Sequence, residues 1–93
     1  MTVGILRVEI YIPGVGSLKE KRKIVKSLKD KVRHHYNVSV AEVDYSDKWQ
    51  RSVIGIAQIG NDSGYIGKNL DTIYRWLTES YEIQVIDKLI EFF

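Results

Sequence analysis

The sequence predicts an α+β fold, in which a four-stranded antiparallel sheet carries two helices on one face. Three observations lead to this prediction. Strand-like and helix-like hydrophobic periodicities follow one another in the order βαββαβ. A capping box opens the first helical segment, and turn residues separate the remaining ones. No repeat, linker or low-complexity segment interrupts the chain, so residues 1–93 are predicted to form a single domain.

The first strand and the first helix have the clearest signals. Residues 3–12 alternate between two faces, which is typical of a half-buried strand. A turn at 13–16 leads into the capping box Ser17-Leu-Lys-Glu20, so we expect a helix to begin at Leu18. Asn37 tolerates the left-handed conformation and is predicted to mark the end of this helix. The apolar stripe of the helix comprises Leu18, Ile24, Val25, Leu28, Val32 and Tyr36.

The second half of the chain repeats the pattern after a hairpin. Residues 38–45 and 52–59 are predicted strands, joined by a polar loop at 46–50. Turn and N-cap residues at 60–63 introduce a second helix. A last strand is predicted at about 83–90. The inward stripe of the second helix is expected to comprise Ile66, Leu70, Ile73, Leu77 and Tyr81.

This order of elements predicts the ferredoxin-like plait, with strand order 4-1-3-2. The topology places the turn at 14–17 beside the hairpin loop that contains Trp49. His34, His35, Asn61 and Asp62 belong to the opposite edge.

The third strand is apolar on both faces. Its outer face carries Val53, Ala57 and Ile59, which we expect to form an interface between copies of the protein. The sequence therefore predicts a homo-oligomer, most simply a dimer.

Positive charge is concentrated on the first helix. Residues 17–35 hold eight of the 14 Lys and Arg residues against two acids, so this segment carries +6 while the rest of the chain carries −4. The exposed side of the helix is predicted to carry Lys19, Arg22, Lys26, Lys29 and Arg33, with Lys23 beside them. Such a localised field suits an anionic partner such as RNA phosphates. The other interpretation is a solvated, lysine-rich face that only keeps the protein soluble.

Two residues stand outside these patterns. Lys21 falls in the middle of the apolar stripe, where it either extends past the helix end into solvent or points at a ligand beside the 14–16 loop. Trp49 lies in a polar loop, where an indole either anchors a partner or folds back over the core edge. Arg51 follows it and is a further candidate for anion binding.

No catalytic or metal-binding pattern is present. The chain has no Cys, no Ser, His and acid set with convergent geometry, and adjacent histidines that cannot readily share an ion. The 14–17 turn lacks the spacing of a Walker loop. The composition and the absence of a long apolar run predict a cytoplasmic protein without cofactor, metal or membrane segment. We therefore expect no enzymatic activity.

Several segments together resemble a known family. These are residues 3–9, Ser17-Leu-Lys-Glu-Lys-Arg22, residues 37–43, Trp49-Gln-Arg51 and Asn61-Asp62. They resemble the YlxP-like family of short bacterial proteins of unassigned function, over essentially the full length. The resemblance implies a ferredoxin-like fold and genes that often neighbour translation-initiation and ribosome-maturation genes. It implies no catalytic residues, and it places Ser17, Lys19, Lys21, Arg22, Trp49, Gln50, Arg51, Asn61 and Asp62 in family motifs.

Two functional hypotheses follow. The first is a non-enzymatic accessory protein that docks the basic helix on structured RNA or a ribosomal particle, with Lys21, Trp49 and Arg51 adding local fit. The second is a homo-oligomeric protein-interaction or small-ligand module that uses the apolar sheet face. An enzyme of the acylphosphatase type is a distant third, because the 14–17 turn contains no Arg.

Overall fold

The computed structural model describes residues 1–93 and contains the six predicted elements in the predicted order. They are β1 (Thr2–Tyr11), α1 (Leu18–His35), β2 (Ser39–Asp44), β3 (Arg51–Gly60), α2 (Ser63–Thr78) and β4 (Gln84–Phe92). The strands form one antiparallel sheet in the order β2-β3-β1-β4. This is the predicted order 4-1-3-2 read from the other edge, and it confirms the ferredoxin-like fold.

Both helices pack on the same face of the sheet. Leu6, Val8 and Ile10 of β1 are fully buried and form one cluster with residues of α1 and α2. The approach of α2 to β1 is close, because a Cβ added at Gly4 would lie 2.5 Å from Cγ2 of Ile66. A side chain at position 4 would therefore force the packed side chains of Ile66 and Leu70 in α2 to shift. Neither helix combines the length and the apolarity that a membrane crossing requires.

The start of α1 is fixed by a variant of the predicted capping box. The Ser17 hydroxyl accepts a hydrogen bond from the Glu20 amide at 3.1 Å, as predicted. The Glu20 carboxylate, however, accepts from the amide of Gly16 at 3.1 Å and not from that of Ser17. The turn preceding α1 thus already satisfies one of its amides with an internal carboxylate, which leaves less of it for an external anion.

Two predicted helix ends were wrong in detail. The last turn of α1 closes at Tyr36, an extended C-cap residue with φ of −135°, and Asn37 does not adopt the left-handed conformation. Helix α2 ends at Thr78, so Tyr81 lies beyond it and is 94% exposed instead of continuing the inward stripe. The hydrophobic periodicity of a helix does not predict its last residue, because the helix end also depends on the connection to the following strand.

Candidate functional site

The exposed side of α1 carries seven cations, including Lys31 beside Lys23 and Lys26. The six predicted ones form what we call the cationic face: Lys19, Arg22, Lys23, Lys26, Lys29 and Arg33. All six reach solvent, although Lys29 is half-buried at the margin. Because α1 is 18 residues long, it holds these charges on a rigid rod of about 27 Å. The opposite side of α1 packs on the sheet through the apolar stripe. The cationic face is therefore presented away from the core.

One carboxylate neutralises part of this charge. Asp30 accepts from Lys26 at 2.8 Å and from Arg33 at 3.3 Å. The remaining four cations of the cationic face make no ion pair. Arg33 is engaged further, because it also donates to the main-chain oxygen of Val40 in β2 at 3.0 Å. Lys19, Arg22, Lys23 and Lys29 are thus the members most available to an anionic ligand.

The local field at Asp30 has a measurable consequence. The hydrogen bond from Lys26, helped by the charges of Lys26, Arg33 and Lys29, holds the pKa of Asp30 below its ordinary value of 3.8. A lowered pKa in the folded state means that the interaction stabilises the protein above the unfolded-state pKa and is lost as the pH falls through the folded value. We expect NMR titration to show this lowered pKa. Lys26→Gln should raise it, and an unchanged pKa in that variant would contradict the assignment.

Lys21 behaves differently from the other cations of α1. Its side chain is fully buried, and its ammonium donates to Glu42 Oε2 at 2.6 Å and to the main-chain oxygen of Tyr45 at 2.8 Å. The expectation that Lys21 extends into solvent or points at a ligand beside the 14–16 loop was wrong. Lys21 has no accessible surface in this conformation, so it cannot contact a phosphate directly.

The ion pair of Lys21 is part of a network that joins α1, β2, β3 and the hairpin loop. The same oxygen of Glu42 accepts from the Ser52 hydroxyl at 2.5 Å, which links β2 to β3. Tyr45 adopts a positive φ of 58° at the start of the hairpin loop, and its oxygen also accepts from the Lys48 amide at 3.1 Å. The Lys21 ammonium therefore fixes the first turn of α1 to the hairpin loop.

The periodicity of α1 does not reveal the partners of Lys21, although the sequence holds a signal for them. Glu42 lies two residues after Val40 in β2, so both side chains are on the helix-facing side of the strand. Ser52 lies two residues before Ile54 in β3 and is likewise on the helix-facing side. A Lys, a Glu and a Ser thus stand at three inward positions of adjacent elements. Since buried charges require partners, three polar residues at core positions predict a network.

The hairpin loop lies at the same end of the domain as the start of α1, as predicted. The Ile12 amide donates to the main-chain oxygen of Gln50 at 2.8 Å, which brings the loop beside the strand end that leads to Ser17. Trp49 is 54% exposed in this loop. Arg51 forms an ion pair with Glu9. Trp49 thus keeps an accessible indole, whereas the charge of Arg51 is already partnered.

The sheet face opposite the helices, which we call the open face, is partly apolar. Ile59 is 63% exposed there and Ala57 is half-buried, so both are accessible. Val53 shares this side of β3 but is fully buried within the single chain. The prediction that Val53 lines an interface was therefore wrong for its side chain, because neighbouring residues of the same chain already cover it.

No three His, Cys, Asp or Glu side chains converge on a point that could hold a metal ion. The rings of His34 and His35 pack edge to face, with centroids 5.2 Å apart. The molecule is thus a ferredoxin-like domain with a cationic helix face, a buried ion pair beneath it and an apolar open face.

Comparison with known proteins assigns this domain to a family. Residues 3–89 match the family described as "Protein of unknown function (DUF503)", and the chain belongs to it. The chain is also similar to "Uncharacterized protein YlxP" of Bacillus subtilis (strain 168), with 34% identity over 82 residues. That alignment covers 88% of this chain and 89% of the relative. The resemblance inferred from the sequence motifs is thereby confirmed.

Proposed function

We propose that the protein is a non-enzymatic, cytoplasmic accessory protein that binds structured RNA through the cationic face of α1. One observation supports this more than any other: four cations on one side of a rigid helix have no carboxylate partner. Like charges three or four residues apart repel, which costs a few tenths of a kcal/mol for each pair. Binding of a polyanion relieves this repulsion and releases counterions from the phosphates.

The geometry favours structured RNA over a single strand. Proteins that read single strands stack bases on aromatic side chains. Of the two central strands, β3 contains no aromatic residue and β1 contains only Tyr11, at its end. A row of cations on a straight helix matches phosphates along a folded backbone, where recognition depends on shape. A ribosomal particle in a bacterial cell is the setting that we propose for such RNA.

The hairpin loop adds a second contact region in this proposal. Trp49 is exposed at the end of the domain where α1 begins, so its indole is available for stacking on an unpaired base at the border of the RNA site. Arg51 would contact RNA only by exchanging its partner Glu9 for a phosphate. Lys21 acts indirectly, by holding Tyr45 and thus the loop.

The salt dependence of RNA binding tests the proposal. Four to six phosphate contacts predict that the logarithm of affinity falls against the logarithm of salt concentration with a slope of about −3 to −5.5, since each contact releases about 0.7–0.9 counterion. The measurement is titration of a fluorescently labelled RNA hairpin at several salt concentrations. Absence of binding at low salt, or a slope shallower than about −1, would overturn the proposal and leave the cationic face as a solvated surface.

A further inference from the structure

The open face contains a notch at one side and a protruding side chain at the other. The notch has a volume of about 290 Å³; its floor includes Ala41 and Gly55, and Ile5 and Val43 also line it. A Cβ added at Gly55 would lie 3.0 Å from Cγ1 of Val43, so the depth of the notch depends on the absence of a side chain there. Small residues on adjacent strands therefore create a concave apolar surface.

The protruding side chain belongs to Leu89 of β4. In the register of the sheet, Arg7 pairs with both Gly55 and Leu89, and Gly55 pairs with Ala41. These four residues thus form one row across all four strands, on the open face. Leu89 stands at the β4 end of the row and is 49% exposed. The notch lies at the β2 end.

We propose that a second copy of the chain covers the open face, and that Leu89 of each copy inserts into the notch of the other. A two-fold axis that runs between the two sheets, parallel to the strands, places β4 of one copy over β2 of its partner at the same height along the strands. Leu89 and the Ala41–Gly55 floor lie in the same row. The two-fold rotation therefore places Leu89 of each copy over the notch of the other copy.

The charge and the area of the open face both favour a second copy of the chain as its partner. The register places Arg7, Arg51, Glu9, Asp44, Asp87 and Glu91 on the open face. These two cations and four acids give a much smaller net charge than that of α1, so two copies can approach there without the repulsion that their cationic faces would cause. The strands β1 to β4 contain 10, 6, 10 and 9 residues, so at about 3.3 Å per residue and about 4.8 Å between strands they cover roughly 550 Å² in plan. This plan area, which leaves out the relief of the side chains, is about two thirds of the ~800 Å² of accessible surface that each partner of a standard interface buries. The dimer would carry its two cationic faces on opposite outer sides.

Disulfide cross-linking tests the arrangement, because the native chain has no Cys. The variant that combines Ala41→Cys with Leu89→Cys should form covalent dimers under mild oxidation at micromolar concentration. Ala41→Cys alone should remain monomeric on non-reducing gels. A matched control combines Ser27→Cys, on the exposed side of α1, with Leu89→Cys. This control should form no more covalent dimer than Ala41→Cys alone. Cross-linking by Leu89→Cys alone would overturn the proposed axis, because it requires β4 to lie over β4.

A second measurement needs no cysteine. Light scattering of the native protein should give the mass of a dimer, and Ala57→Glu, which puts a carboxylate into the apolar part of the open face, should shift that mass to a monomer. Native protein that remains monomeric at high concentration would overturn the inference. Both measurements are made without RNA, so their outcome does not depend on the proposed RNA binding.

Discussion

Replacing Glu42 with Ala is expected to lower the free energy of unfolding by about 3 kcal/mol, because it leaves the buried ammonium of Lys21 without its counter-charge. Tyr45 would still accept one hydrogen bond from Lys21, and Glu42 retains 16% side-chain exposure, so the loss should lie at the lower end of the range for broken buried pairs. Urea denaturation measures it.

Two further variants separate the charge effect from simple loss of a side chain. Glu82→Ala removes an exposed carboxylate that makes no ion pair and lies outside the open face, and it should change the stability by less than about 0.5 kcal/mol. Lys21→Met combined with Glu42→Leu replaces both charges with apolar groups, and it should be clearly more stable than Glu42→Ala alone. If Glu42→Ala cost less than about 1 kcal/mol, the ion pair would not contribute to folding as the geometry indicates.

The same double variant connects stability to the candidate site. Lys21 is the only side chain of α1 that bonds to the hairpin loop, through Tyr45. Without that bond, the loop loses a restraint that fixes Trp49 near the start of α1. We therefore expect the ion pair to matter for the RNA site through the position of the loop and not through direct contact with phosphate.

The fold could be predicted because its determinants are local. The alternation of β1 depends only on neighbouring residues, and the side chain of Ser17 caps an amide three residues away. The order of six such elements leaves few topologies, and right-handed crossovers reduce them further. The cationic face followed from the same helical periodicity, since its cations are those not required by the core.

The features that the periodicity of single elements does not reveal depend on tertiary contacts. Lys21 looks like a misplaced cation within an apolar stripe until Glu42 and Tyr45, more than 20 positions away, are placed beside it. Val53 looks accessible from its face alone, yet the chain covers it completely. The notch beneath Val43 exists only because Ala41 and Gly55 stand side by side on different strands.

Removing three unpaired cations, by Lys19→Gln, Arg22→Gln and Lys23→Gln together, is expected to weaken RNA binding by about 100–500-fold at about 0.1 M salt. The estimate follows from counterion release, since each phosphate contact contributes a factor of about 5–8 at this salt concentration relative to 1 M. The slope against salt should become shallower by about 2–3. Neutral replacements remove positive charge without adding repulsion, so the change in slope reports how many phosphates these three side chains bind.

The control for this triple variant removes the same charge elsewhere. Lys68→Gln, Arg75→Gln and Lys88→Gln together take three exposed cations from α2 and β4. They lower the net charge equally, so they should reduce the affinity only through the weak long-range field, which is largely screened beyond about 10 Å at 0.1 M salt.

Both triple variants should stay folded, because exposed substitutions usually change the stability by less than about 0.5 kcal/mol each. Thermal melts measure this. Lys88 lies over the Tyr74 ring at 4.0 Å, so the control is expected to be the less stable of the two. Equal loss of affinity in the two triple variants would show that RNA binding depends only on the net charge of the protein. The cationic face would then not be the binding site.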